Sequence, residues 1–379
     1  MKKNQILKSI CYALLLTIIL CINLTNKLNA QLQPNYRIYG ITLSGAEFGE
    51  NRLPGVMGKD YIYPSIAEIA YFASKGVDII QLPFKWERVQ KHLGASLDEN
   101  EVAYISKFID DCATYNISVN LVLQNFGRYN INGVAHIVGG NVVTAWHLAD
   151  FWKKMALFLS NKQNVYSFSI MTEPHGMTPY HWPATVQQVI NSIREVDRNT
   201  IVIVDGDNYS NPATWEVYNN DLKYVLDPAN KLVFNAHCYF DKNCSGKYAY
   251  SYDQDGATEW TGVERMKPFV NWLNQNGRHG YVGEFGIPKN DRRWIVTMKH
   301  FLEYLQENNI GASYWAAGSW WKDYPLSIQP VNNQDQPQLI VFSKYFNKSY
   351  QKVIGSLVAN TKNNKTESSR GSNYSLAAR

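Results

Sequence analysis

The chain has 379 residues, 45% of them hydrophobic and 18% charged, which is enough apolar content for a large core. Its formal charge of +5 sits at the ends: residues 1–30 carry four lysines and no acid, residues 347–379 carry six basic residues and one acid, and 31–346 is left at −4. A mildly acidic body gives no support for nucleic-acid binding, and the length fits two or three ordinary domains or one α/β barrel with insertions.

Residues 1–30 read as a secretory signal peptide. Lys2, Lys3 and Lys8 make a basic start, 10–24 is an apolar run too short for a comfortable membrane span, and Ala30 is a small residue at a plausible cleavage point. Short, nearly continuous apolar runs then recur at 38–43, 78–82, 119–123, 165–171, 201–204, 232–236, 281–282 and 312–315, as expected of parallel strands buried on both faces. Helical spacing appears between them at 65–74, 101–113, 146–159 and 186–196. Eight strands alternating with helices predict a single-domain (β/α)8 TIM barrel over 31–346. An open doubly wound sheet is the alternative, but Ser44-Gly45-Ala46-Glu47-Phe48-Gly49 after the first run is no GxGxxG, and no P-loop occurs. Residues 347–379 form a polar, low-complexity tail, expected to be disordered.

Cys11 and Cys21 fall in the signal peptide; Cys238 and Cys244 could pair in an oxidising compartment or stay reduced. No spacing of cysteine or histidine fits a zinc site, so neither a metal nor a cofactor is expected.

Catalytic groups of such a barrel lie at the C-terminal ends of its strands. The fourth run ends in Met171-Thr172-Glu173-Pro174 and the seventh in Gly283-Glu284-Phe285-Gly286. Two carboxylates converging from one rim suit glycoside hydrolysis, in which one protonates the leaving oxygen and the other attacks the anomeric carbon or activates water. Gly283 and Gly286 would leave room for a ligand to approach the backbone. Around these sites stand His237 and Tyr239, Trp315 with Trp320 and Trp321, and Trp86, a set of rings on which sugars can stack; Trp215 reads as core packing.

The motifs GITLSGAEFG (40–49), YFASKGVDIIQLPFKWERVQ (71–90), NFGRYN (125–130), MTEPHGM (171–177), HCYFD (237–241), GEFG (283–286) and YWAAGSWWKDYPLSIQP (314–330) resemble glycoside hydrolase family 5, most of all its cellulase (endo-β-1,4-glucanase) branch. The resemblance implies a retaining hydrolase with Glu173 as acid/base and Glu284 as nucleophile. It makes Tyr239 the tyrosine beside the nucleophile, His237 the histidine near the acid/base, and Trp315 the tryptophan under the sugar. Trp320, one of the rings beside Trp315, is also expected to bind substrate. Three polar positions depart from the family's pattern: Thr172 replaces an asparagine, Gln81 an arginine and Gln124 a histidine. Gln81 can hydrogen-bond but brings no charge, so Glu284 is expected to lose a neighbour that lowers its pKa. The expected substrate is cellulose or another β-glucan, acted on by a secreted monomer with no stable membrane association once the signal peptide is cut. Three readings stay open: an active glycosidase with a retuned site, a weakened or inactive barrel that still binds polysaccharide, and a secreted structural protein on the same fold.

Overall fold

The computed structural model describes residues 37–346. The predicted signal peptide and the tail beyond Phe346 lie outside the described residues. Ten strands follow one another: β1 (Tyr39–Leu43), β2 (Ile79–Phe84), β3 (Ser118–Leu123), β4 (Arg128–Ile131), β5 (Val134–Ile137), β6 (Val165–Ser169), β7 (Ile201–Asp205), β8 (Leu232–His237), β9 (His279–Phe285) and β10 (Gly311–Ala317). Eight of them close a barrel in the order β1-β10-β9-β8-β7-β6-β3-β2, every pair parallel. This is the predicted (β/α)8 TIM barrel. Strands β4 and β5 form a separate antiparallel hairpin after β3, which the reading by apolar runs did not include. Its turn, Asn132-Gly133, has φ of 52° and 84°, the left-handed pair that an Asn-Gly hairpin turn requires.

The helices pack outside the barrel, and their starts follow from capping chemistry. Ser65 caps the helix Ile66–Ser74: its hydroxyl accepts from Glu68 N–H, and its own N–H donates back to the Glu68 carboxylate at 2.8 Å. Asp98 caps Glu99–Ala113 in the same sense. The helices Thr261–Asn276 and Arg292–Glu307, which follow β8 and β9, had no predicted bounds; the first carries Pro268 in its interior, which weakens the helical signal. Among the described residues no helix is long and apolar enough to cross a membrane.

The period of two along each strand sorts side chains between two cores. Outward-facing residues join the helices in one large apolar cluster, which includes Leu82, Leu121, Phe168, Val204 and Phe234. A second cluster holds Ile38, Ile79, Ile201, Ile203, Val233 and Tyr281, the apolar floor inside the barrel. Two residues further along the same strand faces stand Gln81, Asp205, Asn235 and Gly283, so the interior turns polar toward the end where the strands finish. All of the three side chains among these are buried. The functional groups are built on this polar layer.

Candidate active site

Glu173 lies just past β6 and adopts φ 45°, in the left-handed region that side chains rarely occupy. Its N–H donates to Asp205 Oδ2 at 3.0 Å, which holds this backbone in place. Asp205 is the last residue of β7, and the alternation Ile201–Ile203–Asp205 carries it into the barrel. The alternation Val233–Asn235–His237 does the same on β8.

Glu284 reaches the same space through a bulge. Across β8 and β9, Ala236 pairs with Val282 and His237 with Glu284, which leaves Gly283 as the extra residue. A Cβ on Gly283 would lie 2.4 Å from Asn235 Nδ2, and one on Gly286 would lie 2.3 Å from the Trp315 carbonyl oxygen. The space expected at these glycines for a ligand is therefore filled by the protein itself. Asn235 uses it: its Oδ1 accepts from Gly283 N–H at 2.6 Å and its Nδ2 donates to Asp205 Oδ1 at 2.7 Å.

His237 joins the carboxylates. Its Nδ1 is 2.8 Å from Glu173 Oε1 and 3.5 Å from Glu284 Oε2. Its Nε2 is 3.3 Å from Asp205 Oδ2 and 3.1 Å from Asn235 Nδ2. One ligand atom each from Glu173, His237 and Glu284 lie within 4.8 Å of one another. Two carboxylates and an imidazole could chelate a cation, but both ring nitrogens are already engaged, by Glu173 and by the Asp205–Asn235 pair. Tyr239 donates its hydroxyl to Glu284 Oε2 at 2.9 Å, and burial pushes that phenol well above its usual range, so it stays a donor.

Burial sets the electrostatics. It would depress the His237 imidazolium, but Glu284, Asp205 and Glu173 outweigh it and the ring's pKa is pushed up to about 10. Burial pushes Glu284 up to about 7, with His237 and the Tyr239 hydroxyl opposing the rise and Glu173 adding to it. Asp205 is likewise raised by burial, against the pull of His237 and Asn235.

The predicted site residues divide into three groups. Glu173, Glu284, His237 and Tyr239 are in direct contact. Trp315 and Trp320 belong to an aromatic wall: Trp315 meets Trp321 edge-on at 5.8 Å, Trp321 stacks on Tyr324 at 4.3 Å, and Phe48 lies parallel to Trp320 at 6.5 Å. Trp315 is half-buried and Trp320 exposed. Gln81 belongs to the polar layer, and Gln124 and Thr172 are buried polar residues at the ends of β3 and β6. Gln81 donates to Thr42 Oγ1 and to the Gly283 carbonyl, both at 2.9 Å, and accepts from Asn120. Thr172 is buried, with its N–H on the Leu123 carbonyl at 2.8 Å. Gln124 is buried too, and its Oε1 has no hydrogen-bond partner among the described residues. The lysine at the end of β2 is engaged away from Glu284: Lys85 Nζ donates to the Gln124 carbonyl at 2.6 Å and lies 3.3 Å from Glu50.

Trp86 is no platform. It is fully buried against Tyr129 and Phe151, a core residue like Trp215. Cys238 and Cys244 are free thiols. The sequence reading missed Asp205 and Asn235. Asp205 carries the same signal as the glutamates, a carboxylate that closes the apolar run 201–204.

Known proteins resemble this chain in sequence and fold. The cellulase family, glycosyl hydrolase family 5, matches over residues 41–320. The endo-beta-1,4-glucanase B of Emericella nidulans is 32% identical over 301 residues, covering 78% of this chain and 87% of that protein. The endoglucanase Cel5A of Pseudomonas stutzeri, solved in complex with cellobiose, is 34% identical with a TM-score of 0.77, over 81% of this chain and 92% of that one. XacCel5A, solved in complex with cellopentaose, is 34% identical with a TM-score of 0.76, over 82% of this chain and all (100%) of that one.

Proposed function

The chain belongs to glycoside hydrolase family 5 and is an endoglucanase-like glycoside hydrolase, and from that premise we propose that it cuts internal β-1,4 bonds of a β-glucan such as cellulose by a retaining double displacement. The observation that carries this reading is the approach of Glu173 and Glu284, with an oxygen of each inside a 4.8 Å group. Retaining enzymes hold their carboxyls about 5–5.5 Å apart, whereas inverting ones leave about 6.5–9.5 Å for a water.

The hydrogen bonds divide the labour between oxygens. His237 engages Glu173 Oε1, which leaves Oε2 to carry the proton given to the leaving oxygen. Tyr239 engages Glu284 Oε2, which leaves Oε1 to attack the anomeric carbon. The aglycone then departs and a glycosyl ester forms on Glu284. Water attacks that ester as Glu173 takes a proton back, and the sugar leaves with its original configuration. Trp315 offers a face beneath the sugar at the cleavage point, and Trp320 a second face further along the chain. The relatives solved with cellobiose and cellopentaose support a linear β-1,4-glucan as the occupant. The basic, then apolar, run in residues 1–30 supports export.

A second reading, a barrel that binds glucan without cutting it, draws on two observations: no arginine stands at position 81, and burial raises Glu284. A reducing-sugar assay on carboxymethylcellulose and barley glucan decides between them, with Glu284→Gln as the blank. Turnover lost in the blank supports the hydrolase. Glucan affinity with no sugar released, even at high protein load, sinks it and leaves the binder.

A further inference from the structure

The nucleophile sits in a buried pocket without the arginine that the family's pattern would bring. Gln81 is neutral, and its amide is spent on Thr42, Asn120 and the Gly283 carbonyl. Lys85 is spent on Gln124 and Glu50. The basic group that does stand beside Glu284 is His237, and Asp205 lies on the far side of its ring.

We propose that Asp205 holds His237 as an imidazolium, and that this buried cation keeps Glu284 ionised in place of the charge missing from position 81. The inference rests on the reading of Glu284 as nucleophile. Asp205 acts through His237 and is a positioning residue.

The geometry around Nε2 poses the alternatives. Asn235 Nδ2 is 3.1 Å away and Asp205 Oδ2 is 3.3 Å away. A neutral ring would accept from the amide; a charged ring donates to the carboxylate. Oxygens of Glu173, Asp205 and Glu284 lie within 3.5 Å of the ring nitrogens as acceptors, the last two as carboxylates, and decide for the charged form. The titratable groups facing the ring come from four strand ends: Glu173 after β6, Asp205 on β7, Glu284 on β9, and Tyr239, which follows β8 and bonds Glu284. None of these four carries positive charge, and burial removes the water that would screen them. Asp205 also accepts from Glu173 N–H and Asn235 Nδ2, so its carboxylate is anchored where the ring needs it.

The test begins with the ring itself. Nitrogen NMR of the histidine-labelled full chain, with His237 assigned by its loss in His237→Gln, is expected to show both ring nitrogens protonated from about pH 5 to about pH 8. A neutral ring near pH 7 overturns the proposal, whatever the activity. In Asp205→Asn the same ring is expected to lose its charge at a lower pH; a ring that stays charged removes Asp205 from the account.

Kinetics supply the second arm. Asp205→Asn is expected to lower kcat roughly 10²-fold with KM within about threefold, and to move the acid limb of kcat/KM up by about one pH unit. Adding Gln81→Arg to that variant is expected to recover roughly tenfold in kcat, because the charge returns by another route. An unmoved acid limb in folded Asp205→Asn overturns the proposal. Should that variant not fold, the wild-type ring decides alone. Absence of turnover on every glucan would defeat the hydrolase reading but would leave the ring's charge readable, so the two failures are distinct.

Discussion

Replacing Gln81 by arginine places a charge in the polar layer and tests the electrostatics of the site directly. Gln81 is buried and bonds the carbonyl of Gly283, the residue before Glu284. A guanidinium about 5 Å from the Glu284 carboxylate, at an effective dielectric of about 20, would stabilise the ionised form by about 3 kcal/mol, or about two pH units. Arginine must displace three amide hydrogen bonds in a packed interior, so a realised shift of about 1–2 units is expected. In the proposed mechanism Glu284 attacks only when ionised, so turnover should fall as pH drops through its pKa. With that pKa raised to about 7, the wild-type acid limb should lie near neutrality. In Gln81→Arg it should move down, giving about 10–100-fold more turnover near pH 5 and less turnover than the wild type near pH 8, where the added charge opposes the positive charge of the transition state. The assay is a pH series of kcat/KM on soluble barley glucan, with thermal unfolding as the control for folding. A wild-type limb already near pH 4, or an unmoved limb in a folded variant, refutes the reasoning.

Four further outcomes are expected. Thr172→Asn, Gln81→Arg and Gln124→His made together should raise kcat, since an amide donor to the sugar 2-hydroxyl is worth on the order of 10²–10³ in rate; unchanged turnover would mean that other contacts replace it. Tyr239→Phe removes the hydroxyl that Glu284 accepts, so the acid limb should rise by about 0.5–1 unit, and a limb that falls or stays contradicts the assignment. Trp86→Ala should cost about 3–5 kcal/mol in denaturant unfolding, whereas Trp320→Ala should raise KM with stability within about 0.5 kcal/mol, because one ring is core and the other is exposed. Asp227→Ala strands the buried Arg194 guanidinium, which it now holds by two bonds of 2.7 and 2.9 Å, and should cost about 3–5 kcal/mol at neutral pH. Burial pulls the Asp227 carboxyl up, but those bonds hold it below its usual range, so the wild-type advantage should fade as pH falls through that lowered pKa.

The barrel was legible because its strands are buried on both faces and read as unbroken apolar runs. β9 was shortened to two residues because Gly280 and Gly283 interrupt its run, although the strand spans His279–Phe285. Those glycines are where Leu273, on the helix Thr261–Asn276, and Asn235, on β8, crowd the backbone, contacts that exist only once helix and strands pack. Glu173 and Glu284 were legible as strand-end carboxylates. Asn235 was not, because an amide inside an apolar run looks like an interruption until the barrel closes and Asp205 lies across from it. The hairpin was legible in principle from Asn132-Gly133, yet its strands alternate too weakly to stand out as apolar runs. Trp86 and Trp320 look alike in sequence; only packing separates a ring buried against Tyr129 of β4 and Phe151 from one at the rim.

The charge arrangement has a consequence for the chemistry. In the proposed mechanism Glu173 carries the proton that it donates and His237 is charged, so Glu284 and Asp205 leave the pocket with one net negative charge. An arginine at position 81 would cancel it. The transition state of glycoside cleavage develops positive charge on the sugar ring. A pocket that stays negative meets that charge better than a neutral one, at low dielectric where the difference is large. The cost falls on the ground state, where Glu284 ionises less readily and the working pH range moves up. Gln81 thus trades turnover at acid pH for a more negative pocket at neutral pH. The trade requires a cation that neutralises only part of the charge, and His237, held between Asp205 and Glu173, is placed to be that cation.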